Sequence, residues 1–83
     1  NNSYGIKAAA RKYFSKELSQ ITTEEAALLI GLLKGPSYYN PFRKQERALA
    51  RRNTVIDQME KYDYISKALA VSLKAKPIKL KYG

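Results

Sequence analysis

Eighty-three residues allow one small domain at most, and a chain this short buries only about 60 to 65% of the surface its unfolded form exposes. The absence of cysteine and histidine excludes disulfide staples and the usual zinc sets, which leaves neighbouring polypeptide as the source of further burial. The formal charge of +9 is uneven: residues 1–42 carry five Lys/Arg against three acids, and residues 43–83 carry eleven against four. That basic second half favours polyanionic partners, whether nucleic acid, an anionic membrane surface or phosphorylated substrates, and composition does not choose among them.

The longest apolar run, Ala26 to Leu33, has eight residues and contains Gly31, far short of the roughly 20 that a spanning helix needs. The chain opens on Asn1-Asn2-Ser3 without a charged, apolar and small-residue cleavage pattern, so a targeting signal is expected outside it.

The first predicted element is an amphipathic helix from Tyr4 to Phe14. Ile6, Ala9, Ala10, Tyr13 and Phe14 recur at steps of three and four, Lys7, Arg11 and Lys12 fall elsewhere, and Ser3 is a candidate cap. Thr22-Thr23-Glu24-Glu25 then matches the capping box, in which a Thr oxygen and a Glu carboxylate take up two orphaned backbone N–H groups. The helix it starts, Thr23 to Lys34, is apolar nearly all round, the pattern of a helix enclosed on every side. Gly31 inside it costs about 1 kcal/mol of helix propensity against Ala, which close approach of another helix would explain. Lys34, Gly35 and Pro36 form a stop signal in the usual order.

Pro36-Ser37-Tyr38-Tyr39-Asn40-Pro41 reads as a rigid aromatic turn region, because two prolines fix their own φ and push the preceding residues out of helical angles. A third helix is expected from about Arg43 to Tyr62, with Ala48, Val55, Ile56, Met59 and Tyr62 as one narrow stripe. Ser66 caps a weaker helix to about Lys74. Beyond Pro77, Ile78, Leu80 and Tyr82 alternate with Lys79 and Lys81 in a period of two, so 77–83 is expected to be an extended linker or edge strand.

The stretch Tyr4-Gly5-Ile6-Lys7-Ala8-Ala9-Ala10-Arg11-Lys12-Tyr13-Phe14-Ser15-Lys16 resembles the end of the fourth motif of the peptidoglycan glycosyltransferase domain, glycosyltransferase family 51. Leu18, Thr22, Glu25-Ala26-Ala27, Leu29, Gly31, Pro36-Ser37 and Tyr39-Asn40-Pro41 are similar to its fifth motif. Ala50-Arg51-Arg52-Asn53 with Val55 and Met59 resembles the helix that follows. Ile30 stands where the family usually has Ala, and Ser15 where it often has Gly.

The resemblance implies a mainly α fold: a fragment of a lysozyme-like helical domain, with about four helices over 1–76 and a short extended tail at 77–83. It also implies a parent enzyme on the outer face of the bacterial cytoplasmic membrane, of the class A penicillin-binding type, that polymerises a lipid-linked disaccharide precursor of the cell wall. In such enzymes a glutamate acts as general base on the acceptor hydroxyl, and basic residues stabilise the departing lipid pyrophosphate. The family's first motif needs a histidine, which this chain lacks, and its Gln-Gln motif is absent. Arg43-Lys44-Gln45-Glu46 superficially resembles the third motif, but its Glu arrives one position early. The fragment is therefore expected to be inactive alone, with its catalytic glutamates upstream. The resemblance leaves cofactors open beyond a divalent cation for the parent, and its implied partners are the rest of the domain, the precursor and the anionic membrane.

The candidate substrate contacts are Asn2, Tyr4, Lys7 and Arg11. Lys7 and Arg11 lie one helical turn apart and would face an anionic group together at the lip of the cleft; they fit a solvated cationic face as well. Glu25 is expected as a cap rather than an acid, and Gly31, Pro36, Tyr39 and Pro41 as structural parts of the motif. Tyr38 and Tyr39 suit a loop clamp or a sugar platform. Two other classes compete. The cations from Arg43 to Arg52 would suit a small nucleic-acid-binding helical module, although the link before them is too long for a helix-turn-helix. The apolar second helix would suit a docking module with an exposed patch.

Overall fold

The structure, a computed structural model, describes residues 2–81, with side chains from Gly5 onward. It holds four α-helices, α1 (Asn2–Phe14), α2 (Thr23–Leu32), α3 (Gln45–Lys61) and α4 (Lys67–Lys74), with one 3-10 turn at Leu18–Gln20 and no strand among the described residues. Helix α1 begins at Asn2, so Ser3 lies inside it and is not its cap. Its apolar face is the one that the spacing predicts: Ala10, Tyr13 and Phe14 are buried and Ile6 and Ala9 pack beside them. Ser15, in the left-handed region at φ 55°, then turns the chain.

The capping box at α2 is formed on both sides. Glu25 N–H donates to Thr22 Oγ1 at 3.4 Å, and Thr22 N–H donates to Glu25 Oε1 at 2.9 Å. The helix stops two residues short of the predicted Lys34, because the amides of Leu33, Lys34 and Gly35 tighten onto the carbonyls of Ile30, Gly31 and Leu32. Its wrapping is incomplete. Ala27, Leu28, Leu29 and Leu32 are buried, whereas Ile30 and Leu33, three apart on one face, are 45% and 42% exposed.

Two small cores result. The first joins Ala10, Tyr13, Phe14, Leu28, Leu29, Leu32 and Ala48. The second joins Ala27, Val55, Ile56, Ala70 and Leu73 under the α3–α4 hairpin. Helix α3 begins at Gln45 rather than Arg43. Asn40 Oδ1 accepts from Phe42 N–H, and the Asn40 carbonyl accepts from the amides of Arg43 and Lys44, which keeps those residues in a turn. At its far end Tyr62 falls outside the helix and is 64% exposed, so the apolar stripe ends at half-buried Met59. Asp63 at φ 64° closes that end: its amide donates to the Glu60 carbonyl and the Tyr64 amide to the Met59 carbonyl, the paired bonds of a Schellman motif. Ser66 caps α4 by accepting from Leu69 N–H at 3.0 Å.

After Lys76 the described chain has no regular secondary structure and lies back on the first core through half-buried Ile78 and Leu80. The expectation for Tyr82 lies outside the described residues.

Candidate functional site

The candidate substrate contacts start on α1. Asn2 and Tyr4 belong to its first turns, and their side chains lie outside what the structure describes. Lys7 is exposed. Arg11, one turn on, is engaged by Glu17: Nε donates to Oε2 and Nη2 to Oε1, both at 3.0 Å. This two-pronged hydrogen bond holds the Glu17 carboxyl below its usual range, and the charges of Arg11 and Lys7 act in the same direction. The structure thus does not bring Lys7 and Arg11 together as an equivalent pair of cations, since one already has a carboxylate.

One concavity was not anticipated from sequence. A cavity of about 380 Å³ opens between the start of α2, the end of α1 and the tail, bordered by Lys16, Glu24, Glu25, Arg52, Lys76 and Lys79 among others. Its carboxylates are occupied. Lys16 Nζ donates to both oxygens of Glu25, at 3.0 and 3.1 Å, and Lys76 Nζ lies 3.8 Å from Glu24 Oε2. Glu25 therefore serves the cap and the lysine at once and is not poised as a base. The signal that sequence reading missed is the charge order Lys16 to Glu25, whose partners meet only because the chain reverses between them.

The basic run in α3 is divided by the fold rather than presented as one face. Arg47 stacks over Tyr38, its guanidinium carbon 3.9 Å from the ring centroid, and Arg51 lies beside Tyr39 with Nε donating to the Gly31 carbonyl at 3.4 Å. Arg52 is 1% exposed. Its Nη2 donates to the carbonyls of Leu73, Lys74 and Lys76 at 3.2, 3.3 and 2.8 Å, and Asn53 Oδ1 accepts from Nε and Nη2. Burial lowers its pKa while the Glu24 charge opposes that shift. A side chain counted as a phosphate contact in the nucleic-acid reading is instead the C-terminal cap of α4.

Gly31 meets α3 closely: a Cβ there would lie 2.9 Å from Arg51 Cγ. Tyr39 packs against the first core and Pro41 is fully buried, while Pro36 and Tyr38 are exposed. Among the described residues no three acids, histidines or cysteines gather as a metal set, and no helix is long and apolar enough to cross a membrane.

A model of the transglycosylase family matches residues 1–60. Penicillin-binding protein 1A of Vibrio cholerae is 46% identical over 80 residues, which cover 96% of this chain and 10% of that protein. Penicillin-binding protein 2D of Bacillus subtilis is 42% identical over 78 residues, covering 94% of this chain and 11% of the relative. The crystal structure of penicillin-binding protein 1A from Haemophilus influenzae matches the fold with a TM-score of 0.86 at 39% identity, over 93% of this chain and 12% of that one. The chain spans about a tenth of the length of these relatives. The comparisons lend no support to the nucleic-acid reading.

Proposed function

The chain belongs to the transglycosylase family, and from that premise we propose that it is the C-terminal part of a peptidoglycan glycosyltransferase domain within a longer polymerase. That polymerase joins lipid-linked disaccharide precursor into glycan strands in the bacterial envelope, at the outer face of the cytoplasmic membrane. Its general base and the cations at the pyrophosphate belong to the rest of the domain. This part supplies the wall behind the cleft, with Lys7 at the lip toward the anionic precursor and the exposed cations Arg43 and Lys44 toward anionic lipid, a contribution of up to about 1 kcal/mol per cation at the surface. The remaining polypeptide of the domain covers the side of α2 that carries Ile30 and Leu33.

The observation that carries the reading is the match of residues 1–60 to the family. It is supported by the state of the acids nearest the cavity, since Glu24 and Glu25 each face a lysine and so lack the unpaired, positioned carboxylate that base catalysis requires.

Fluorescent lipid-linked precursor resolved on a gel tests it. The isolated 83-residue chain is expected to make no strands, and the longer protein to make them; strand synthesis by the isolated chain would overturn the assignment. In the longer protein Lys7→Ala should lower kcat/KM about tenfold, equivalent to about 1.4 kcal/mol, with thermal unfolding unchanged. An unaltered kcat/KM would return Lys7 to the solvated surface.

A further inference from the structure

We propose that residues 76–81 form a strap that borders the cavity, clamps the end of α1 and opens from Lys81 toward Pro77, so that the tail and the turn after α1 loosen together. The strap is pinned at both ends, unequally. At the near end Arg52 Nη2 donates to the Lys76 carbonyl at 2.8 Å from a fully buried guanidinium that also holds Leu73 and Lys74, and such charge-assisted bonds are roughly twice as strong as neutral ones. Pro77 follows, with φ fixed and no N–H to tie it further.

At the far end the bonds are neutral and at the surface. Lys81 N–H donates to the Tyr13 carbonyl at 2.8 Å, and Ser15 Oγ donates to the Lys81 carbonyl, also at 2.8 Å. Between the pins Ile78 and Leu80 are only half-buried on the first core. Local opening follows the weakest contacts, so the strap opens from Lys81 toward Pro77 while the Arg52 end stays closed.

Ser15 makes this more than a frayed tail. It holds a left-handed backbone conformation at φ 55° that a side chain rarely adopts, and its amide and that of Lys16 close α1 onto the carbonyls of Arg11 and Ala10. The closed strap therefore braces the turn that positions Lys16 on Glu25. When the strap opens, the brace is lost, and the turn at 15–16 loosens with it.

Hydrogen exchange of the longer protein tests the coupling without reading activity, so it stands or fails separately from the polymerase assignment. Ser15→Ala should speed exchange at residue 81 and at residues 15 and 16 by about fivefold, the loss of one neutral hydrogen bond, and leave Val55 and Ile56 unchanged. Lys81→Pro, which deletes the donor to Tyr13, should speed residues 15 and 16 likewise. The proposal is overturned if residues 15 and 16 are unmoved by both variants, if residue 81 exchanges at the free-chain rate in the unaltered protein, or if the strap opens only together with α3.

Discussion

Lys16 Nζ donates to both carboxylate oxygens of Glu25, and so joins the stretch that closes α1 to the residue that opens α2. The Glu25 side chain is 15% exposed and that of Lys16 36%, so solvent screens the pair only in part. The same carboxylate accepts from Thr22 N–H. Two motifs that are separate in sequence thus share one anion.

Removing that anion should cost more than an ordinary cap. Loss of a capping interaction is worth about 1 kcal/mol, and the half-buried lysine partner adds a fraction of a further 1 kcal/mol once screening is discounted. Glu25→Ala is expected to destabilise by about 1 to 2 kcal/mol in urea unfolding, with Glu25→Gln closer to the parent because it still accepts from Thr22. Lys16→Met should lose less than Glu25→Ala. If it loses as much, the cap contributes nothing beyond the ion pair.

At Gly31 two opposing effects can be weighed. Alanine would gain about 1 kcal/mol of helix propensity, but its Cβ would stand 2.9 Å from Arg51 Cγ, in the stem of a side chain held by the Gly31 carbonyl and the Tyr39 ring. Overpacking of this kind costs about 1 to 3 kcal/mol, so Gly31→Ala should be net destabilising by about 1 kcal/mol. A stabilised variant would mean that α3 withdraws freely.

The local parts of this fold were legible because each has a short-range cause. The capping box at Thr22 and Glu25, the serine before α4 and the α1 apolar face all follow from spacing within four residues. What was not legible depended on pairs far apart in the chain. Arg52 meets carbonyls more than twenty residues away, and Lys81 meets Tyr13 across nearly the whole chain. The shortfalls at Lys34, Arg43 and Tyr62 have turn geometry as their cause, which apolar periodicity does not encode. The site was less legible than the fold: family resemblance drew attention to Lys7 and Arg11, while Glu17, the residue that occupies Arg11, belongs to no helical spacing rule.

Ser15 and Asp63, both in the left-handed region, should respond differently to glycine. Asp63 closes α3 through its backbone amide, so Asp63→Gly relieves strain and should stabilise by about 0.5 to 1 kcal/mol. Ser15→Gly relieves similar strain but removes the hydroxyl bonded to the Lys81 carbonyl, worth about 1 kcal/mol. Its net effect should be near zero. Denaturant midpoints of both variants at constant slope make the comparison, and equal gains would mean that the Ser15 hydroxyl contributes little.

Arg52 should be the most sensitive polar position of the chain. Its Nη2 shares two N–H groups among three carbonyls at the end of α4 and the strap, and Asn53 holds the guanidinium in place. Arg52→Met keeps much of the stem's packing but removes the charged donor from the part-buried Lys74 and Lys76 carbonyls, at about 1 to 3 kcal/mol for each, while the Leu73 carbonyl keeps the Lys76 amide. A loss of about 2 to 4 kcal/mol is expected in urea unfolding. Arg52→Lys should recover part of this, since one nitrogen, Nη2, makes all three carbonyl contacts, but it loses the Nε bond to Asn53 that aims the side chain. Burial lowers the Arg52 pKa from its ordinary value, so the unfolded chain holds that proton more tightly and Arg52 causes no loss of stability as pH rises. Lys74 behaves in the opposite sense: its hydrogen bond to Asp57 raises its pKa, so the stability that this exposed pair adds is present below the unfolded lysine pKa and is lost as pH rises through the folded one. The alkaline loss of stability in urea unfolding should therefore be smaller in Lys74→Met than in the parent, and Arg52→Met should leave it unchanged. An alkaline loss of equal size in Lys74→Met would assign it to another group.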